Sequence, residues 1–225
     1  MFKRVFNNGH GAGSFEQQRA RMVEDQLRWR GIRDPRVLAA MGKVAREQFV
    51  ACEDAPTAYG DFPVPIGAGQ TISQPYIVAA MVEALEVRPE DRVLEVGTGT
   101  GYEAAILGEL AREVWTIERH AELAGKAREI LQRLGYSNVN VVEGDGSLGL
   151  PEHAPFDRIL IAAAAPKLPE TLLAQLADGG RMVVPVGSRA EQQVQIVCKL
   201  GEEIVVTSGD PCRFVPLVGE QGWEP

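Results

Sequence analysis

Between residues 92 and 186 short β-type runs alternate with helical stretches, and this alternation leaves few folds open. The runs 92–96, 113–117, 139–142, 158–162 and 181–186 are rich in branched apolar residues. The stretches 102–110, 121–134 and 169–176 carry apolar residues at helical spacing instead. Strands joined one after another by helices form a parallel sheet with helices on both faces, so the fold class expected is α/β, doubly wound and mostly parallel. After residue 186 the pattern changes. Residues 193–200 and 203–207 are joined by a turn centred on Gly201 with no room for a helix, which predicts a C-terminal antiparallel hairpin.

The N-terminal third reads differently. Ser14-Phe-Glu-Gln17 has capping-box spacing, and Ala20, Val23 and Leu27 continue a helical pattern until Gly31 stops it. Asp34-Pro35 starts a second short helix with Val37, Leu38 and Met41 as its apolar face. From Ala55 to Gly69 prolines, glycines and aromatics follow no period, which predicts an irregular loop. Pro75 opens a further helix that ends before Arg88-Pro89. A length of 225 residues suits one domain: a loose tail over 1–13, then a single domain over 14–225 in which 14–70 is a helical addition. The N-terminus has no continuous apolar segment and does not read as a signal peptide.

Val93-Leu-Glu-Val-Gly-Thr-Gly-Thr-Gly101 ends a predicted strand and opens a predicted helix, which brings Gly97, Thr98, Gly99 and Gly101 to a place where a ligand can approach the backbone. A plain tight connection would look the same. The spacing is Gly-x-Gly-x-Gly, whereas a dinucleotide turn uses Gly-x-Gly-x-x-Gly to seat a pyrophosphate. Glu95 sets a carboxylate beside the turn, which is unfavourable for a diphosphate and suits a cofactor bearing an ammonium and a sulfonium, as S-adenosylmethionine does. Glu118 ends the next strand, where an acid meets ribose hydroxyls, and Asp145-Gly146 follows the third, where a carboxylate can accept from the adenine amino group. Each could singly be a solvated acid or a turn. Together they mark the strand edge at which open α/β sheets bind ligands.

A net charge of −8 supplies no general attraction for a polyanion, which counts against a nucleic-acid partner. No apolar run approaches the about 18–20 residues that span a bilayer, so no membrane partner is expected and the chain reads as cytoplasmic. Cys52, Cys198 and Cys212 form no Cys-x-x-Cys pair and read as reduced. His10, His120 and His153 show no metal-ligand spacing, and no metal is expected. Trp29, Trp115 and Trp223 read as packing residues.

Gly69-Gln-Thr-Ile-Ser-Gln-Pro-Tyr76 resembles the motif that precedes the core of protein-L-isoaspartate methyltransferases. The likeness continues through 93–102, Phe156-Asp-Arg-Ile-Leu-Ile-Ala-Ala-Ala-Ala-Pro166, 172–187 and Phe214-Val-Pro-Leu-Val-Gly219, and covers the chain from about Arg19. It implies a Rossmann-like methyltransferase fold and an S-adenosylmethionine-dependent enzyme acting on isoaspartyl-containing proteins and peptides, expected to be a monomer. The product ester would leave and cyclise to a succinimide, whose hydrolysis restores some normal aspartate. The resemblance also implies that Ser73 is the active-site serine, that Thr71, Ile72 and Ser73 line the cofactor and substrate, and that Glu118, Asp145 and Gly146 hold the adenosine. Three positions depart from the pattern: Gln74-Pro75-Tyr76 stands where some members read Ala-Pro-His, and Val218 where some carry threonine.

Spacing alone leaves Ser73 open to a second reading, as the cap of the helix at Pro75. Two other functions share part of the pattern. A small-metabolite methyltransferase of the same fold would use Glu95 and Glu118 but leave residues 69–76 unexplained, and a non-catalytic cofactor-binding relative would bind without turnover. Methylation of a carboxylate needs no strong base, because the acceptor is already an anion at neutral pH. Orientation in a dry pocket can then supply several kcal/mol.

Overall fold

The computed structural model describes residues 13–224. The tail expected over 1–13 falls, except for Gly13, outside the described residues, as does His10. Ser14 caps α1 (Phe15–Arg21): its hydroxyl accepts from Gln17 N, while the Gln17 side chain accepts from Ser14 N. The helix continues past Arg21 with wider turns over Met22–Arg28, where Trp29 N bonds Glu24 O five residues back. One regular helix is the sequence expectation, so the difference is one of winding. Leu27 is buried, but Trp29, two residues on, is 83% exposed and is not the packing residue its type suggests. Trp115 stacks on His153, and Trp223 donates from Nε1 to Ala164 O at 3.0 Å.

Asp34 accepts from Arg36 N and caps α2 (Pro35–Lys43), which buries Val37, Leu38 and Met41. The following segment is more ordered than its composition suggests. After a 3-10 turn over Arg46–Phe49, β1 (Val64–Gly67) and β2 (Gln70–Ile72) pair antiparallel where an irregular loop is expected. Ala68 and Gly69, both with positive φ (50° and 70°), form the tight turn that makes this ladder possible. Helix α3 (Pro75–Leu85) follows directly and ends at Glu86 in the left-handed region.

The main sheet has seven strands in the order β5-β4-β3-β6-β7-β8-β9. Its parallel part comprises β3 (Arg92–Val96), β4 (Glu113–Glu118), β5 (Val139–Glu143), β6 (Phe156–Ile161) and β7 (Leu176–Gly187). Helices α4 (Tyr102–Leu110), α5 (Ala121–Arg133) and α6 (Glu170–Ala174) connect them. Helix α6 is shorter and β7 longer than the pattern predicts, because pairing with Phe156 begins at Leu176. The chain adds β4 and β5 on one side of β3 and then returns to place β6 on the other. The strand order therefore reverses between β3 and β6, and a crevice opens at their carboxyl ends.

The C-terminal hairpin of β8 (Gln192–Leu200) and β9 (Glu203–Cys212) is antiparallel, as expected, but β9 runs five residues beyond residue 207. Ser208-Gly-Asp-Pro211 lies beyond the strand expected to end at residue 207. It is held as strand because β9 is the sheet edge, where the missing N–H of Pro211 costs no ladder bond. Side-chain alternation splits the core in two. Val93 and Val114 face α3 and α4, while Leu94, Val96 and Ile117 face the layer containing Leu172 and Leu217. Among the described residues no helix is long and apolar enough to cross a membrane.

Candidate active site

At the carboxyl ends of β3, β4, β5 and β6 the described residues form a cavity with both polar and apolar walls, the usual character of small-molecule sites. Its floor is the glycine loop. Gly97, Gly99 and Gly101 all take positive φ (102°, 52° and 86°), a backbone that side-chain-bearing residues rarely adopt, and Gly97 N and Thr98 N both point to Ile117 O. Glu118 straps this loop in place. Its Oε2 accepts from Gly99 N at 2.9 Å and its Oε1 from His120 N at 3.0 Å, so one buried carboxylate joins the two neighbouring strand ends. A carboxylate has about four acceptor positions, which leaves two for hydroxyls in the cavity.

The opposite wall comes from two segments distant in sequence. Thr71 and Ile72 of β2, with Ser73, enter from the N-terminal side, and Val215, Pro216, Leu217 and Val218 enter from the C-terminal side. The alanine run after β6 sets the second segment: Ala164 N donates to Val215 O and Leu217 N to Ala164 O, both at 2.8 Å. Ser73 is half-buried, and its hydroxyl has no hydrogen-bond partner among the described residues. The cap position of α3 belongs to Gln74, which makes no side-chain cap bond. The capping reading of Ser73 therefore fails, and its hydroxyl stays available to a ligand.

A second cavity lies against the first. Thr71, Ser73, Ala162 and Val215 line both. Its outer wall includes Tyr76, Phe214 and Arg30, whose guanidinium sits 3.5 Å from the Tyr76 ring and pairs with Asp61 at 2.8 Å.

Of the residues read from sequence as site candidates, the structure gathers Thr71, Ile72, Ser73, Gly97, Thr98, Gly99, Glu118 and Gly146 around the first cavity, with Gly101 closing the loop. Glu95 and Asp145 depart from expectation. Glu95 shares its strand face with Val93, so its side chain turns under α4 rather than into the cavity. It is fully buried, opposite Thr116 in the parallel register, and accepts from the Thr116 hydroxyl. The Asp145 side chain does not line the cavity and is engaged within the protein, accepting from Ser147 N (2.9 Å), Ser147 Oγ (2.7 Å) and Glu220 N (2.8 Å). Partial burial raises its pKa, but the bonds from Glu220 and Ser147 outweigh this and hold it below the ordinary value. Asp145 thus pins the C-terminal segment over the cavity, and its neighbour Gly146 meets the ligand space.

Sequence reasoning passed over Glu103. It stands in the first turn of α4, lines the cavity, and has one carboxyl oxygen without a hydrogen-bond partner among the described residues. Burial pushes this carboxyl up to about 8. Glu95 is raised well above its ordinary value, first by burial and then by the Glu103 charge, against the lowering effect of Thr116. An acid in a helix first turn is ordinary in sequence, and only the packing of α4 on β3 reveals that this one faces inward. Arg46 was also invisible. It is fully buried in a short 3-10 turn, donates to Ala58 O and Ser73 O at 2.7 Å each, and lies over the Tyr102 ring. Among the described residues no three His, Cys, Asp or Glu side chains gather as metal ligands.

Residues 17–222 match the model of the family described as protein-L-isoaspartate(D-aspartate) O-methyltransferase. The chain is 59% identical over 211 residues to a protein-L-isoaspartate O-methyltransferase of Koribacter versatilis, covering 94% of this chain and 95% of the relative. It is 53% identical over 207 residues to one from Methanoregula boonei, covering 92% and 95%. A solved protein-L-isoaspartate O-methyltransferase superposes with a TM-score of 0.80 at 28% identity, over 91% of this chain and 67% of the other. A putative Plasmodium falciparum member, solved in complex with S-adenosyl-L-homocysteine, does so with a TM-score of 0.76 at 26% identity, over 88% and 96%.

Proposed function

Since the chain belongs to the protein-L-isoaspartate(D-aspartate) O-methyltransferase family, we propose that the cavity floored by the glycine loop is its S-adenosylmethionine site and that the adjoining cavity receives the isoaspartyl segment. The enzyme transfers the methyl group of S-adenosylmethionine to the free α-carboxyl of L-isoaspartyl residues in damaged proteins and peptides. The shared wall at Thr71, Ser73, Ala162 and Val215 carries the assignment of the two cavities, because donor and acceptor must meet where their sites join. A small-metabolite enzyme of this fold would leave the second cavity without an occupant.

The donor set fits the cofactor. Gly99 N, the amide on which a pyrophosphate would rest, is already taken by Glu118, whereas the remaining Glu118 lone pairs suit ribose hydroxyls. Ile117, Val96, Gly146 and Leu217 offer an apolar slot for adenine. When bound, S-adenosylmethionine supplies a methyl group activated by positive sulfur. The protein supplies position and exclusion of water. The Ser73 hydroxyl, free of internal partners, orients the acceptor carboxylate, and the Val215–Val218 segment closes the cavity with apolar side chains and backbone. Since the acceptor is ionised at neutral pH, no residue needs to remove a proton from it.

In this reading residues 14–225 work as one methyltransferase domain, and the addition over 14–70 is part of the machinery because Arg46 and Ile66 reach the active-site loops. The enzyme acts as a cytoplasmic monomer on protein and peptide substrates, in keeping with a net charge of −8 that does not favour nucleic acid. The test is transfer of labelled methyl to matched peptides bearing L-isoaspartyl or L-aspartyl. Labelling confined to the isoaspartyl peptide is expected, and equal labelling of both, or of neither, would overturn the substrate assignment.

A further inference from the structure

We propose that Glu103 is a cofactor-binding residue that meets the α-ammonium of S-adenosylmethionine and gives up a proton to solvent as the cation arrives. The proposal rests on the methyltransferase reading above. Glu103 lines the cofactor cavity yet is only 9% exposed, and its Oε1 has no hydrogen-bond partner among the described residues. A buried acceptor left without a donor is destabilising, so it persists where something else completes it.

The surroundings say what that is. Glu95 of β3 packs close to Glu103 and carries a second unpartnered oxygen, also Oε1. The neighbouring hydroxyl that could donate, Thr116 of β4, is spent on Glu95 and Thr98. Glu118 of β4 is bound to Gly99 N and His120 N, and Tyr102 on the same helix faces Met41 and Arg46. Arg119 and His120 line the cavity just past Glu118, and neither bonds Glu103. Three acids therefore surround the inner end of the glycine loop, and among the described residues no basic side chain bonds Glu103 or Glu95. A cation brought by the ligand supplies what the fold withholds, and the ammonium is the charge common to S-adenosylmethionine and S-adenosylhomocysteine. In the free enzyme the cost of a buried carboxylate is avoided by keeping the proton, as the upward shift of this group indicates. Binding exchanges that proton for the ligand's ammonium, with the proton passing to the buffer.

The test is calorimetric titration with S-adenosylhomocysteine and with methylthioadenosine, which lacks the amino-acid arm, at about pH 7 in two buffers of different ionisation enthalpy. Wild type is expected to release close to one proton per S-adenosylhomocysteine bound and none with methylthioadenosine. Glu103→Gln, neutral and of the same shape, should release none and bind S-adenosylhomocysteine roughly tenfold more weakly at about pH 8, with methylthioadenosine unchanged. Equal proton release by variant and wild type, or release with methylthioadenosine, would overturn the assignment. If the variant does not fold, wild-type titration decides alone, since binding without proton release sinks the proposal. Failure to bind either ligand would instead strike the methyltransferase reading itself.

Discussion

Arg46 holds Ser73 by its backbone: the Arg46 Nη2 donates to Ser73 O at 2.7 Å, while its Nε donates to Ala58 O at the same distance. The guanidinium is fully buried and has no carboxylate partner among the described residues, so burial lowers its pKa. Its remaining nitrogen, Nη1, has no partner among the described residues. A buried charge with this few compensations is costly, and what it secures is the placement of one loop against Tyr102. Arg46→Lys keeps the charge but cannot make both forked bonds. We expect a lower melting temperature together with a loss of kcat/KM of about tenfold on an isoaspartyl peptide, and near-normal affinity for S-adenosylhomocysteine. Unchanged kcat/KM in the folded variant would show that the Ser73 loop holds its position without Arg46.

Ser73 itself presents a hydroxyl to both cavities without capping α3. Ser73→Ala removes no internal hydrogen bond, so its stability should lie within about 0.5 kcal/mol of wild type. Activity should behave otherwise. A roughly tenfold or larger fall in kcat/KM, with cofactor affinity retained, is expected from loss of carboxylate orientation. Steady-state kinetics beside a melting curve separates the two effects, and full activity would remove Ser73 from the mechanism.

In the proposed site Glu118 both holds the glycine loop and accepts from the ribose, and different substitutions separate these two roles. Glu118→Ala frees the amides of Gly99 and His120 as well as deleting acceptors for the ribose, so S-adenosylhomocysteine binding should weaken by about 1–3 kcal/mol, and the loop should exchange amide hydrogens faster. Glu118→Gln retains one acceptor and should recover part of the affinity. Calorimetry with hydrogen exchange at Gly99 reads both duties, and an unaltered dissociation constant in the alanine variant would place the ribose elsewhere.

The parallel sheet, its hairpin and the glycine loop were legible in sequence because each depends on local signals: period-2 strands, helical spacing and glycines at a strand end. Glu118 followed from the same logic, as a strand-end acid. Glu95 did not, because alternation places strand residues on opposite faces, and which face α4 covers is decided by tertiary packing rather than by the motif. The β1–β2 ladder was hidden by Pro63, Pro65 and three glycines that read as loop, although Ala68 and Gly69 close a tight turn. Arg46 and Glu103 carry no sequence signal of their burial, since a charged residue is assigned to the surface by default and both are buried by tertiary packing.

The buried acids also govern how stability changes with pH. Glu103 holds its proton to about pH 8 in the folded protein, whereas an unfolded glutamate loses it near its ordinary value of 4.5. The folded state then binds more protons than the unfolded state between these values, so this contribution is fully present below about pH 4.5 and declines as pH rises toward 8. The slope is about 1.4 kcal/mol per pH unit for one such group, and Glu95, also shifted upward, adds to it in the same direction. Glu103→Gln removes the group that titrates first and relieves Glu95 of its charge. Denaturant unfolding of the ligand-free enzyme should therefore show the variant close to wild type at about pH 5 and more stable than wild type at about pH 8. A variant that is less stable at the higher pH would mean that Glu103 is already ionised and compensated in the free protein.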